Sequence, residues 1–159
     1  MKQLSYIASL AFLMSIILVS CRGNYEVGDI YRQGDIEGVV IRVAEDNGEM
    51  LVLSTDEAAG VNADSANVWA SSFGDSQWHL PSKDEMMLIR KYRSLINQTL
   101  ERTGNPKILT NHTFYWTSTS CSESHTFACG PDGVHCYFST NSSPLYRARA
   151  VRIIRLGKD

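Results

Sequence analysis

Apolar residues recur through the middle of the chain at spacings of three and four, as Met86, Ile89, Tyr92, Leu95, Ile96 and Thr99. That period puts them on one face of a helix and leaves Lys83, Arg90, Lys91 and Arg93 on the other. The start is marked by Ser82 and Glu85. The Ser82 hydroxyl can accept from the Glu85 amide while the Glu85 carboxylate reaches back to the Ser82 amide, so two bare donors of the first turn are satisfied together. Trp78 and Leu80 offer apolar surface that pins the approach, Pro81 holds it extended, and Thr103-Gly104-Asn105-Pro106 stops the helix. The pattern predicts one main helix over about 82–102, and a one-faced helix needs a sheet to lie on.

Around this helix the pattern is that of strands. Residues 38–43 and 50–54 are rich in β-branched and apolar side chains, and Asp46-Asn47-Gly48 between them supplies a turn, which predicts a hairpin. Residues 55–77 are mostly small and polar with Trp69 and Phe73 as large anchors, as expected of a loop or short helix. Residues 114–120, with Tyr115 and Trp116 as buried structural rings, read as a strand; so do 134–139 and, at the close of the chain, 146–156. Residues 121–144 otherwise lack a period and are expected to form a long irregular region. The resulting class is α+β with a mostly antiparallel sheet.

The first twenty residues are of another kind. Lys2 precedes an apolar run over 7–19 that is too short for a comfortable membrane span and has the form of a secretion signal. Its end, Leu18-Val19-Ser20-Cys21, resembles the lipobox of bacterial lipoproteins, in which the cysteine is acylated and the preceding peptide removed. The expected organisation is a signal peptide over 1–20, a lipidated tether over 21–27 with the lipid on Cys21, and one domain over 28–159. Acyl chains worth about 0.8 kcal/mol per buried methylene would hold that domain at a membrane. Arg22 after the cysteine resembles the sorting rule of enteric bacteria for the outer membrane, with the leaflet left open.

Charge adds one structural expectation and removes one class of partner. The chain has 15 Lys and Arg against 17 Asp and Glu, and loss of residues 1–20 removes only Lys2, so no basic surface for nucleic acid is expected. Acids crowd the start of the domain, among them Glu49, Asp56 and Glu57, while Arg147, Arg149, Arg152 and Arg155 crowd its end. Either the two ends meet or both are solvated faces.

Export places Cys121, Cys129 and Cys136 in an oxidising compartment, where one local disulfide is expected. The pairings 121–129 and 129–136 each close a small loop; 121–136 is preferred by a narrow margin because strand ends flanking a loop are readily brought within bridging distance. With His112, His125 and His135 these cysteines lack the spacing of a zinc site, and no metal is assigned. Glu123, Asp132 and Asn141 carry oxygen ligands suited to calcium, but polar loop residues are more often simply solvated, so no cofactor is expected. No third group is placed to orient a cysteine–histidine pair for catalysis, and the chain reads as non-enzymatic.

The order of a hairpin, Trp78-His79-Leu80-Pro81-Ser82 opening a helix, Tyr115-Trp116-Thr117-Ser118-Thr119 and Ala150-Val151-Arg152-Ile153-Ile154 resembles the bacterial lectin-like domain at the end of collagen-like adhesins and in envelope lipoproteins. The resemblance covers roughly residues 28–156. That family shares the C-type-lectin fold, also seen in formylglycine-generating enzymes. Two departures stand out: Gln77 replaces the usual glycine before the tryptophan, and Ile153 replaces a cysteine, so a disulfide to the last strand is missing. The resemblance implies that the first and last strands pair and that ligands bind on the irregular segment. It implies a binding or adhesion module for a glycan or surface protein, with a structural subunit of a surface assembly as the alternative. The candidate contact residues are Glu123, His125, Asp132, His135, Tyr137 and Asn141. The family's calcium-binding triplets and its active-site cysteine pair are both absent here.

Overall fold

The computed structural model describes residues 24–44, 48–73, 77–138 and 144–156. The expected signal peptide over 1–20, Cys21, the Asp46-Asn47 part of the hairpin turn and Asn141 lie outside the described residues. Among those described, no helix is long and apolar enough to cross a membrane.

The expected α+β class is what the chain adopts, in two sheets and three helices. The first sheet contains β1 (Ile30–Gln33), β2 (Ile36–Ala44), β3 (Glu49–Ser54) and, from the far end of the chain, β9 (Val151–Arg155), in the order β1-β2-β3-β9 and antiparallel throughout. Alternate residues of its inner strands go to opposite faces. Val39, Ile41, Leu51 and Leu53 join one apolar cluster and Val40, Met50 and Val52 the other, so β2 and β3 are buried on both sides. The resemblance had implied that the first and last strands pair; they do not. Both are end strands of the sheet: β9 lies beside β3 with Val151 and Ile154 buried and His79 bridging to Val151 on its outer side, whereas β1 exposes Arg32 and Gln33.

The second sheet has the order β4 (Ala58–Val61), β8 (Tyr146–Ala148), β5 (Tyr115–Ser122), β6 (His125–Gly130) and β7 (Gly133–Phe138), antiparallel apart from a parallel bridge between Tyr115 and Arg147. Here the structure corrects the expectation of a long irregular region. Most of 121–138 is strand, because β6 takes ladder hydrogen bonds from both neighbours and does not depend on an apolar alternation of its own. The closing segment, expected as one strand, divides between the sheets at Arg149-Ala150. Residues 55–77 hold a strand, β4, as well as the short helix α1 (Ala63–Ser71), which Asn62 caps by accepting from the Ser65 amide at 2.8 Å.

The main helix is also divided. α2 (Lys83–Lys91) opens on the anticipated reciprocal cap, Ser82 N–H to Glu85 Oε2 at 2.8 Å and Glu85 N–H to Ser82 Oγ at 3.2 Å. At Tyr92 the backbone leaves helical values, with φ −97° and ψ 11°, and α3 (Arg93–Arg102) follows. The break lets one apolar pattern serve two sheets: α2 lies on β5 and β6, and α3 on β2. The stretch before the cap laces the sheets together. His79 exchanges two backbone hydrogen bonds with Val151 of β9 (3.0 and 2.8 Å), while the Pro81 carbonyl accepts from Ser118 of β5 at 2.8 Å. Trp78 and Leu80 are buried beside it.

The opposite charges of the two ends do meet. Arg149 is fully buried and donates to Glu57 Oε2 at 3.2 Å, to the Ser54 carbonyl at 3.0 Å and to the Lys107 carbonyl. Arg147 holds the other Glu57 oxygen at 2.5 Å, and the Tyr115 hydroxyl donates to Oε2 at 3.1 Å. Burial lowers the Arg149 pKa from its ordinary value while Glu57 acts in the opposite sense. A second end-to-end pair, Glu49 with Arg155 at 3.1 Å, sits where Arg155 is largely in water and adds little.

Changing Glu57→Gln keeps the shape but leaves Arg149 buried without a counter-charge, and should destabilise the domain by about 3–5 kcal/mol in a urea melt. Replacing both residues, Glu57→Gln with Arg149→Met, should recover part of that loss. A single-variant loss below about 1 kcal/mol, the range of exposed pairs, would show that the network is not a buried latch.

Candidate functional site

The face of the second sheet that carries Trp116 gathers aromatic rings from three strands. Trp116 is fully buried at its centre, its indole N–H donating to the Val61 carbonyl at 2.8 Å. Phe114, two residues earlier and on the same side, and Tyr146 of β8 flank it, with ring centroids 4.9 Å apart; Tyr146 lies 5.3 Å from Trp116. From β7 come His135 and Tyr137, again two apart: Tyr137 is 5.2 Å from Tyr146 and 5.7 Å from Phe114, and His135 is 5.4 Å from Phe114. These tilted and edge-on contacts are the geometry that ring quadrupoles favour.

The strand between them supplies the floor. Ala128 and Gly130 of β6 are buried and small, and a Cβ on Gly130 would sit 2.3 Å from Phe114 Cδ1, so the ring can rest on the strand only because residue 130 is glycine. Burial decreases outward from Trp116: Phe114, Tyr137 and Tyr146 are half-buried and His135 is exposed. The outer rings thus offer partly open apolar faces, next to phenol, imidazole and the Asp132 carboxylate, whose Oδ1 is 3.4 Å from His135 Nε2. Burial, together with a hydrogen bond and Coulomb repulsion from Tyr137, pushes the Tyr146 phenol above its ordinary value. Burial does the same for Tyr115 on the opposite face.

Of the six contact residues expected from the sequence, Asp132, His135 and Tyr137 come together here. Glu123 and His125 do not: they lie at the β5–β6 turn, and although Tyr137 pairs with Thr126 beside it, His125 pairs with Phe138 and so alternates to the other face. There the His125 Nδ1 lies 2.9 Å from both the Ser122 and the Ser124 hydroxyl oxygens, and Glu123 is exposed. Asn141, as noted, is outside the described residues. The sequence reading missed Phe114 and Tyr146 as parts of the site; its placement of Trp116 in the core holds, the ring being fully buried. The alternation of Phe114 and Trp116 about an opposite-facing Tyr115 was the available signal.

The disulfide forms between Cys121 and Cys136, with Cα atoms 6.3 Å apart, and so ties β5 to β7 across β6. Closing a loop of this size is worth about 3 kcal/mol in the chain-entropy picture and holds the outer strand in register. Cys129 is free and buried on the face opposite the rings, where burial pushes its thiol pKa up, away from the thiolate a nucleophile requires. Among the described residues, no three or more His, Cys, Asp or Glu side chains converge in a way that could hold a metal ion.

No protein-family model matches the chain, and no curated protein matches it. The site is therefore read from its own chemistry.

An alkaline ultraviolet titration should show Tyr115 and Tyr146 keeping their protons past the ordinary value of 10.0. Because both folded values are raised, the stability these phenols contribute is whole below pH 10.0 and is lost as the pH climbs through the folded values. Tyr146→Phe should remove one late-titrating phenol; an unchanged curve would contradict the ring arrangement.

Proposed function

We propose that the chain is a non-catalytic binding module, held at the bacterial envelope by a lipid on Cys21, that captures a glycan on the ring face of β5, β7 and β8. The observation that carries this reading is the graded burial of Phe114, Tyr137, Tyr146 and His135 around the fully buried Trp116. A pyranose ring has one face of C–H bonds and a rim of hydroxyls. Half-open aromatic faces suit the first, and the Tyr137 phenol, His135 imidazole and Asp132 carboxylate supply donors and acceptors for the second. Tyrosine offers this mixed contact with few rotatable bonds, so ordering it on binding costs little.

Two further points support the reading. The disulfide across the hairpin fixes the strand that carries His135 and Tyr137, and a pre-ordered surface avoids about 0.5–1.5 kcal/mol for each side chain otherwise immobilised on binding. The arrangement of sheets about α2, together with the sequence motifs at residues 78–82 and 115–119, is in keeping with a lectin-like domain, in which ligands bind on the face that this hairpin occupies. The buried Cys129 with its raised pKa favours binding over cysteine-dependent catalysis.

Tyr137→Ala, on an outer strand and only half-buried, should leave the unfolding free energy from a urea melt within about 1 kcal/mol of the parent while abolishing capture on a glycan array. His135→Ala should weaken the same spots without changing which glycans are bound. If the array stays blank and an envelope extract yields a protein partner whose capture Tyr137→Ala removes, the alternative reading as an accessory subunit replaces this one. Separately, Cys21→Ser should move the protein out of the membrane fraction and end labelling by a palmitate analogue. Persistent labelling would remove the lipid anchor from the proposal.

A further inference from the structure

We propose that the other side of the β5–β6–β7 hairpin holds a second site, for a small organic anion with an apolar body. Strand β6 separates the two places: Ala128 and Gly130 face the rings, and Cys129 faces a cleft between α2, the start of α3 and the segment leading into β5. The cleft is shallow and open to solvent, so an occupant would lie over its floor and not be enclosed by it. Its floor is apolar and buried, made by Met86, Ile89, Leu109 and Cys129.

The rim is cationic. Arg90 and Arg93, which the helical period had placed on the solvated side of the helix, both line the cleft. Arg93 is half-buried, and among the described residues its guanidinium meets no carboxylate or carbonyl oxygen. Arg90 makes one long contact, to the Gly133 carbonyl at 3.4 Å. The nearby acids are engaged elsewhere or face water: Asp132 approaches His135, Glu85 closes the helix cap and Asp84 is exposed. Two guanidinium groups without a counter-charge beside an apolar floor define the occupant by charge and shape. A carboxylate can take two parallel N–H bonds from Arg93, and an aryl or short alkyl group attached to it can cover the floor. A cation is repelled. A polyanion such as a nucleic acid gains nothing from the floor.

The site stands apart from the glycan reading, and its test is arranged to keep the two distinct. The protein as the cell produces it, carried in lipid nanodiscs, is titrated with phenylbutyrate and with its uncharged amide, empty nanodiscs serving as the blank. Binding is read from broadening of the ligand's ring-proton NMR signals and from slower modification of Cys129 by a small thiol reagent. A ligand of this size should bind with a Kd on the order of 1 mM, and the amide about tenfold more weakly. Arg93→Ala should erase that preference, and Arg93→Lys should keep part of it. Tyr137→Ala should leave phenylbutyrate binding unchanged even where it abolishes glycan capture. Equal binding of acid and amide, a preference that survives Arg93→Ala, or no saturable broadening by phenylbutyrate would each overturn the proposal.

Discussion

Everything in the fold leans on a positive charge with no access to water. The two sheets are separate ladders, and the chain passes from one to the other in the two residues Arg149 and Ala150. A bare guanidinium there would cost several kcal/mol in desolvation, and Glu57 together with the carbonyls of Ser54 and Lys107 is what makes the position tolerable. Those partners come from the link between the sheets and from the loop after α3, so satisfying one side chain fixes the end of β3, the start of β4 and the path of residues 105–110 together. Ser54 adds a second tie, its hydroxyl accepting from the Ala150 amide at 3.1 Å. Through Arg147 and Tyr115 the same network sets β8 against β5, and that places Tyr146 among the rings.

Much of this was legible in the sequence where a local rule has a single structural answer. The reciprocal cap of Ser82 and Glu85, the hairpin of β2 and β3, and the burial of Trp78 and Trp116 all follow from chemistry acting over a few residues. What could not be read was decided by partners far away in the chain. The period through Tyr92 is continuous, and nothing local reveals that its first half lies on one sheet and its second on another. Strand β6 contains Thr126, Ala128, Cys129 and Gly130, with little apolar alternation, yet it is held from both sides by β5 and β7. The pairing of charged ends was visible only as a tendency. Composition did not show that Glu57, among the several acids, was the one taken inside.

The candidate site divides along the same line. Polar and aromatic residues of the hairpin were singled out by composition, which weighs the two turns alike. The structure separates them, leaving Glu123 and His125 at one turn, Asp132 at the other and His135 within β7 opposite Ala128. Phe114 and Tyr146 flank this hairpin in sequence and belong to the site because the sheet order β8-β5-β6-β7 brings four strands side by side. Gly130 is the least conspicuous member. It contributes no contact of its own, yet the space it leaves is where Phe114 lies.

Strand β7 is outermost in its sheet, while the buried charge and the large side chains of both apolar clusters lie elsewhere. Its residues 133–137 are exposed or half-exposed, and its register is secured by a covalent bond to β5. The candidate surface and the core are therefore specified largely by different parts of the polypeptide. Substitutions at the outward positions of this one strand can remake the candidate surface at little risk to the core, and the same fold can carry many versions of it.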